Sequence, residues 1–197
     1  MQGFALFVIV LLAVVVFWFV GAYNGLISLK NQTQNALKQI DVQLKRRHDL
    51  IPNLVQAVQG AMQFEKETLQ AVIEARNQAV KVAAGSDLQN VAQTAAAEGQ
   101  LSGALGRLMA VVERYPDLKA TTNIGQLQEE LTSTENKIGF ARQLFNDTAT
   151  QYNTRQQQFP TSIVAGFAHS MPAQLWEIDD ESERAVPKVD LSMKPKE

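Results

Sequence analysis

The chain has no cysteine, which excludes disulfides, thiolate metal sites, iron–sulfur clusters and cysteine nucleophiles together. Its histidines are only two, His48 and His169, and it contains no HExxH, no Gly-rich phosphate loop and no GxSxG. Glu-x-x-His, the usual mark of a carboxylate metal site in a helical bundle, is also missing. Basic and acidic side chains nearly balance, 18 against 20 over 197 residues, so there is no basic excess of the kind a nucleic-acid binder needs. Residues 1–23 hold no Asp, Glu, Lys or Arg. These absences predict no catalytic residue, no metal or cofactor site, no small-molecule substrate and no nucleic-acid partner.

The uncharged start is filled by a run of apolar residues from Phe4 to Val20, extended by Gly3 and by Gly21–Tyr23. Such a stretch makes roughly 30 Å of helix, the thickness of a bilayer core. Trp18 and Tyr23 lie toward its end, where interfacial aromatics belong. The rival reading is a cleaved signal peptide, supported by Val20-Gly21-Ala22. Against it, no Lys or Arg precedes the run, and the run is long for a signal. The sequence predicts a retained single-pass anchor over 1–23. Lys30 and Lys38, then Lys45, Arg46 and Arg47, lie on the C-terminal side, which by the positive-inside rule favours a cytoplasmic bundle. A periplasmic or extracellular bundle is the alternative.

Beyond Tyr23 apolar residues recur every three or four positions, the helical period. Leu26, Leu29, Thr33, Leu37, Ile40, Leu44 and Ile51 form a first stripe. Others run from Leu54 to Ala83, from Leu88 to Val112, and from Leu127 through Leu131, Thr134, Ile138, Ala141, Phe145, Thr148 and Tyr152 to Phe159. The last is close to a heptad seam. Helices are expected over 24–51, 53–84, 87–115 and 123–159. Gly85-Ser86-Asp87 separates the second from the third, with Asp87 or Ser86 as N-cap, and Pro116 separates the third from the fourth. Pro52 is read as a turn with Asp49 capping the second helix, or else as a kink in one long helix. The fold expected is all-α: an N-terminal transmembrane helix, then an elongated four-helix up-and-down bundle over 24–159.

The segment QIDVQLKRRHDLIPNLV (39–55) closely resembles the most characteristic stretch of the LemA family. In register with it are Tyr23-Asn24, Glu65-Lys66-Glu67, Glu74-Ala75-Arg76-Asn77, Tyr115-Pro116-Asp117-Leu118, LQEELTSTENKIGFAR (127–142), Tyr152-Asn153, Phe159-Pro160 and Val186-Pro187-Lys188-Val189. The resemblance covers residues 20–190 and is most specific at 39–55 and 127–142. It implies a bacterial protein with one N-terminal membrane helix and a four-helix bundle, and it implies no enzyme activity.

Several polar residues call for explanation. Glu135, Arg142 and Asn146 share one face of the fourth helix, and charge near a bundle core needs partners. Glu74 and Arg76 are the partners expected, in a structural polar network or, alternatively, a binding groove. His48-Asp49 reads as a helix-end pair, and Lys45-Arg46-Arg47 as a solvated helix end or a contact to another subunit. Residues 160–176 carry Ile163, Val164, Phe167, Met171, Leu175 and Trp176 with no Asp, Glu, Lys or Arg. They read as an apolar cap over the bundle or as an interfacial segment, with Phe167, Met171 and Trp176 touching lipid. The acidic cluster at 177–183 favours the cap. Residues 177–197 read as a mobile tail.

These readings converge on a membrane-anchored scaffold or assembly protein of the bacterial inner membrane, acting through protein–protein contacts that include self-association. Its Ala-rich third helix (Ala92, Ala95, Ala96, Ala97, Ala104) would allow close helix approach. Its partners are then membrane lipid and copies of itself or other membrane proteins. An accessory subunit of a membrane protease or transporter is the alternative, and a bundle-core metal enzyme or hydrolase the remote one.

Overall fold

A computed structural model describes residues 1–59, 65–115 and 122–177. Among them the secondary structure is helical, without strands: α1 (Gln2–Gln59), α2 (Lys66–Ala83), α3 (Val91–Val112), α4 (Thr122–Gln157) and the short α5 (Thr161–Phe167). α1 pairs most extensively with α4, and α2 with α3. The result is the all-helical bundle with a long apolar helix at its N-terminus that the periodicity implies.

The boundaries differ from expectation in one instructive place. Pro52 is not a turn: α1 continues through it to Gln59, and Asp49 sits inside that helix rather than capping the next. A proline inside a helix leaves the carbonyl four residues earlier without its donor. That carbonyl belongs to His48, and it accepts a hydrogen bond at 3.0 Å from Arg76 Nε on α2. A side chain from a neighbouring helix thus supplies the missing donor, and the helix survives. α2 accordingly begins at Lys66, not at 53. The anchor run and the first bundle helix are one rod of 58 residues, about 87 Å at 1.5 Å per residue.

Between α2 and α3, Asp87 builds a turn rather than capping a helix. Its carboxylate accepts from Gln89 N at 2.8 Å, and Asn90 both accepts from Asp87 N and donates to the Gly85 carbonyl. α3 therefore starts at Val91 instead of 87. The break expected at Pro116 and the tail from 178 onward lie outside the described residues.

Two apolar clusters form the core. One joins Ala22–Leu44 of α1 to Leu88, Val91 and Ala95, to Ile138–Tyr152 of α4, and to Val164, Ala165, Ala173 and Trp176. The other joins Ile51–Val58 of α1 to α2, to Ala97–Val112 of α3, and to Ile124 and Leu131 of α4. α2 contributes only to the second. Near the apolar run its place is taken by α5 and the strap 168–176. α5 stops in a two-bond C-terminal motif, Ser170 N to Ala165 O and His169 N to Gly166 O, with His169 in the left-handed region at φ 49°. The strap is then clamped by two asparagines two turns apart on α4. Asn153 exchanges two hydrogen bonds with the Ala173 backbone, both 2.8 Å. Asn146 does the same with Trp176, at 2.8 and 3.0 Å. Each amide side chain satisfies one N–H and one C=O that an irregular segment would otherwise leave buried and unpaired.

Candidate functional site

The apolar seam of α1 runs Thr33, Leu37, Ile40, Leu44, Ile51, Leu54, Val58. The step from Leu44 to Ile51 skips a core position, and Arg47 occupies it. The seam of α3 has a matching gap between Ala95 and Leu101, filled by Glu98. Arg47 is 3% and Glu98 4% exposed, and His48 beside them is buried too. They meet: Arg47 Nη2 pairs with Glu98 Oε2, while His48 Nε2 donates to Glu98 Oε1 at 2.8 Å. Arg47 Nη1 also reaches Glu135 on α4 and, at 3.1 Å, the Ser102 hydroxyl. Glu135 in turn lies 3.5 Å from Arg142. The charged layer falls between the two apolar clusters and separates them.

Burial by itself pushes the Glu98 carboxyl up. The His48 hydrogen bond and the adjacent Arg47 charge outweigh it and hold Glu98 below the usual glutamate value. Both Glu98 oxygens are engaged by side chains of the layer, while buried Arg47 Nε has no partner among the described residues. The layer's chemistry is that of a register pin: charges that match at one axial offset and are stranded at any other. Among the described residues no group of three or more His, Asp or Glu is arranged to hold a metal ion.

The expected network is thus partly re-partnered. Glu135 and Arg142 meet, but Arg47, read as solvated or intersubunit, is the partner of Glu135 on another helix. Glu74 stays exposed and bonds Gln70 on its own helix at 2.8 Å. Arg76 serves the His48 carbonyl, and Asn146 holds the strap. Within Lys45-Arg46-Arg47 only the first two are exposed, Arg46 lying 4.0 Å from Glu130. His48 is a buried partner of Glu98 and not a helix-end residue. Trp176, which the interfacial alternative would put at the lipid surface, is buried in the core.

Two surfaces lack partners within the described residues. A groove of ≈ 440 Å³ between α1 and α4 is lined by Lys38, Gln39, Val42, Lys137, Phe140 and Leu144 among others. Phe140 is 74% exposed, with Val42 and Leu144 also exposed beside it. Nearby, half-buried Asp41 has an Oδ1 without a partner, and burial raises its carboxyl while Lys38 partly offsets this. The second surface is the outer face of α3, where Ala92, Ala96, Gly99, Gly103, Gly106 and Ala110 are all exposed at 4-3-4-3-4 spacing. A Cβ added at any of the three glycines would meet nothing within 4 Å, so no contact inside the molecule requires them. Ala95, Ala97 and Ala104 are instead buried in the bundle.

Known proteins resemble this chain over most of its length. The LemA family profile matches residues 36–191. Protein LemA of Metamycoplasma hominis is 30% identical over 164 residues, covering 82% of this chain and 72% of that protein. Magnetosome protein MamQ 2 of Paramagnetospirillum magneticum is 26% identical over 183 residues, covering 82% and 67%. Magnetosome protein MamQ of Magnetospirillum gryphiswaldense is 24% identical over 179 residues, covering 77% and 66%. None of these names is that of an enzyme.

Proposed function

The chain belongs to the LemA family, and from that premise we propose that it is a membrane-anchored helical scaffold that self-associates through the faces of its bundle. The apolar half of α1 is long and apolar enough to cross a membrane and is not buried against the rest of the chain, which is consistent with an anchor. On this reading it spans the bacterial cell membrane once, with Lys30 and Lys38 favouring a cytoplasmic bundle.

The observation that carries the reading is the exposed apolar groove at Phe140. A large aromatic ring with two aliphatic neighbours in the open loses the free energy that burial would give, about 1.5–3 kcal/mol for such a side chain. The Ala- and Gly-lined face of α3 adds to it. Each exposed glycine costs a helix about 0.5–1 kcal/mol relative to alanine, which close approach of a second helix would offset. The charged layer fits a scaffold by holding both faces in fixed register.

Since the chain lacks cysteine, a single Leu144→Cys substitution, in the groove beside an intact Phe140, gives a clean cross-linking probe. In native membranes, oxidation should convert the labelled chain to a dimer of twice its mass. Cross-links to a different protein would favour the accessory-subunit reading instead, and no cross-link would rule the groove out as the contact.

A further inference from the structure

We propose that the membrane-facing end of the bundle is itself a lipid-contacting surface, a rim made by the end of α4, α5 and the start of the strap that dips into the bilayer interface. The proposal rests on the anchored reading of α1 and adds a second point of contact to it.

The position of the rim comes from one contact. Phe167, the last residue of α5, packs edge-on against Phe19 with ring centroids 6.1 Å apart. Phe19 lies near the end of the apolar run, between Trp18 and Tyr23, at the depth where interfacial aromatics sit. α5 is therefore level with the membrane surface once α1 is inserted. Its character comes from α5 being apolar on both sides. Val164 and Ala165 face the bundle core, whereas Ile163 and Phe167, one turn apart, face outward and are 51% and 73% exposed. Phe159 and Met171 flank them, also exposed. A helix that is hydrophobic all round needs cover on every side, and the apolar run that begins at the same level identifies the cover as lipid.

Charge agrees. No Asp, Glu, Lys or Arg occurs between Arg155 and Glu177. Glu177, the first acidic residue after Trp176, does not lie at the rim, because the strap climbs before reaching it. Trp176 is tied to Asn146, eleven residues before the end of α4, or roughly 16 Å up the helix. Beside the rim a cavity of ≈ 610 Å³ is lined by Asn153, Gln156, His169 and Ser170 among others. Gln156 is buried and its Nε2 has no partner. Ala165, Met171 and Pro172 line the same cavity, so it brings apolar and polar side chains together beside the rim.

The test uses the full-length chain in phosphatidylcholine/phosphatidylglycerol vesicles. Single cysteines at Leu12→Cys, Ile163→Cys, Phe167→Cys and Val42→Cys carry an environment-sensitive fluorophore, and lipids with a nitroxide on the upper acyl chain act as quencher. The expected result is quenching at 163 and 167 comparable to that at 12, with none at 42. Quenching at 12 but not at 163 and 167 overturns the rim and leaves the anchor standing. A blue-shifted but unquenched fluorophore at 163 and 167 also overturns it, since protein and not lipid then covers α5. No quenching at 12 removes the anchor and the rim together.

Discussion

The Arg76 guanidinium donates to the main-chain carbonyl of His48, four residues before Pro52. This contact makes a proline compatible with an unbroken helix, and it ties α2 to α1 at the level of the charged layer. A double-mutant cycle exposes the dependence. Arg76→Met should destabilise the wild-type background by about 1.5–3 kcal/mol, the range for a hydrogen bond from a charged group. In a Pro52→Ala background the helix supplies its own donor, and the same substitution should cost much less. Equal costs in both backgrounds, measured by urea unfolding in detergent, would break the link between the two residues.

Glu98 gives a pH dependence of definite sign. Its folded pKa is lowered, so the stability it contributes is present above the unfolded value, about 4.3. That stability is lost as pH falls through the lower folded value. Glu98→Gln removes the buried counter-charge of Arg47 and leaves it only the half-exposed Glu135, so it should cost a few kcal/mol at neutral pH, at most the ~3–5 kcal/mol of a fully stranded buried charge. The gap between wild type and variant should narrow once pH drops below about 4. A gap that is constant from neutral to acid would mean that the carboxylate's charge plays no part.

Two side chains hold the strap to α4, and Gln174 N donates to the Leu88 carbonyl at 2.7 Å on its other side. Replacing Asn153 by Leu removes the partners of both polar groups of the Ala173 backbone. Hydrogen exchange at the Ala173 amide should then accelerate by roughly one to two orders of magnitude, for a local loss of about 1–3 kcal/mol. Exchange in α2, which packs in the other apolar cluster, should be unchanged.

Much of the fold is legible in the chain, because helical period and burial go together. The stripes from Leu26 to Ile51 and from Leu127 to Tyr152 are the observed core faces, with small shifts such as Ala149 buried in place of Thr148. The charged layer is legible only as a defect. Both seams skip a residue, and the residues in the gaps, Arg47 and Glu98, are of types that composition assigns to the surface. A core position filled by charge on two different helices is the signal that the layer exists. Pro52 misleads for a related reason: its local preference for a break is overruled by a donor 24 residues away in sequence, and no local pattern reports that. The strap is hardest to read, since its order comes from asparagines whose partners are backbone groups of an irregular segment. Trp176 looks interfacial by type, and it is buried because Asn146 holds its backbone against α4.

Self-association through the groove is the central claim, and particle mass after mild-detergent extraction tests it most directly. Wild-type protein purified alone should form a uniform particle several times the 21.8 kDa chain mass, and Phe140→Asp should shift it toward the single chain without loss of helix. A wild-type particle already at single-chain mass, or a Phe140→Asp particle of unchanged size, would contradict the claim.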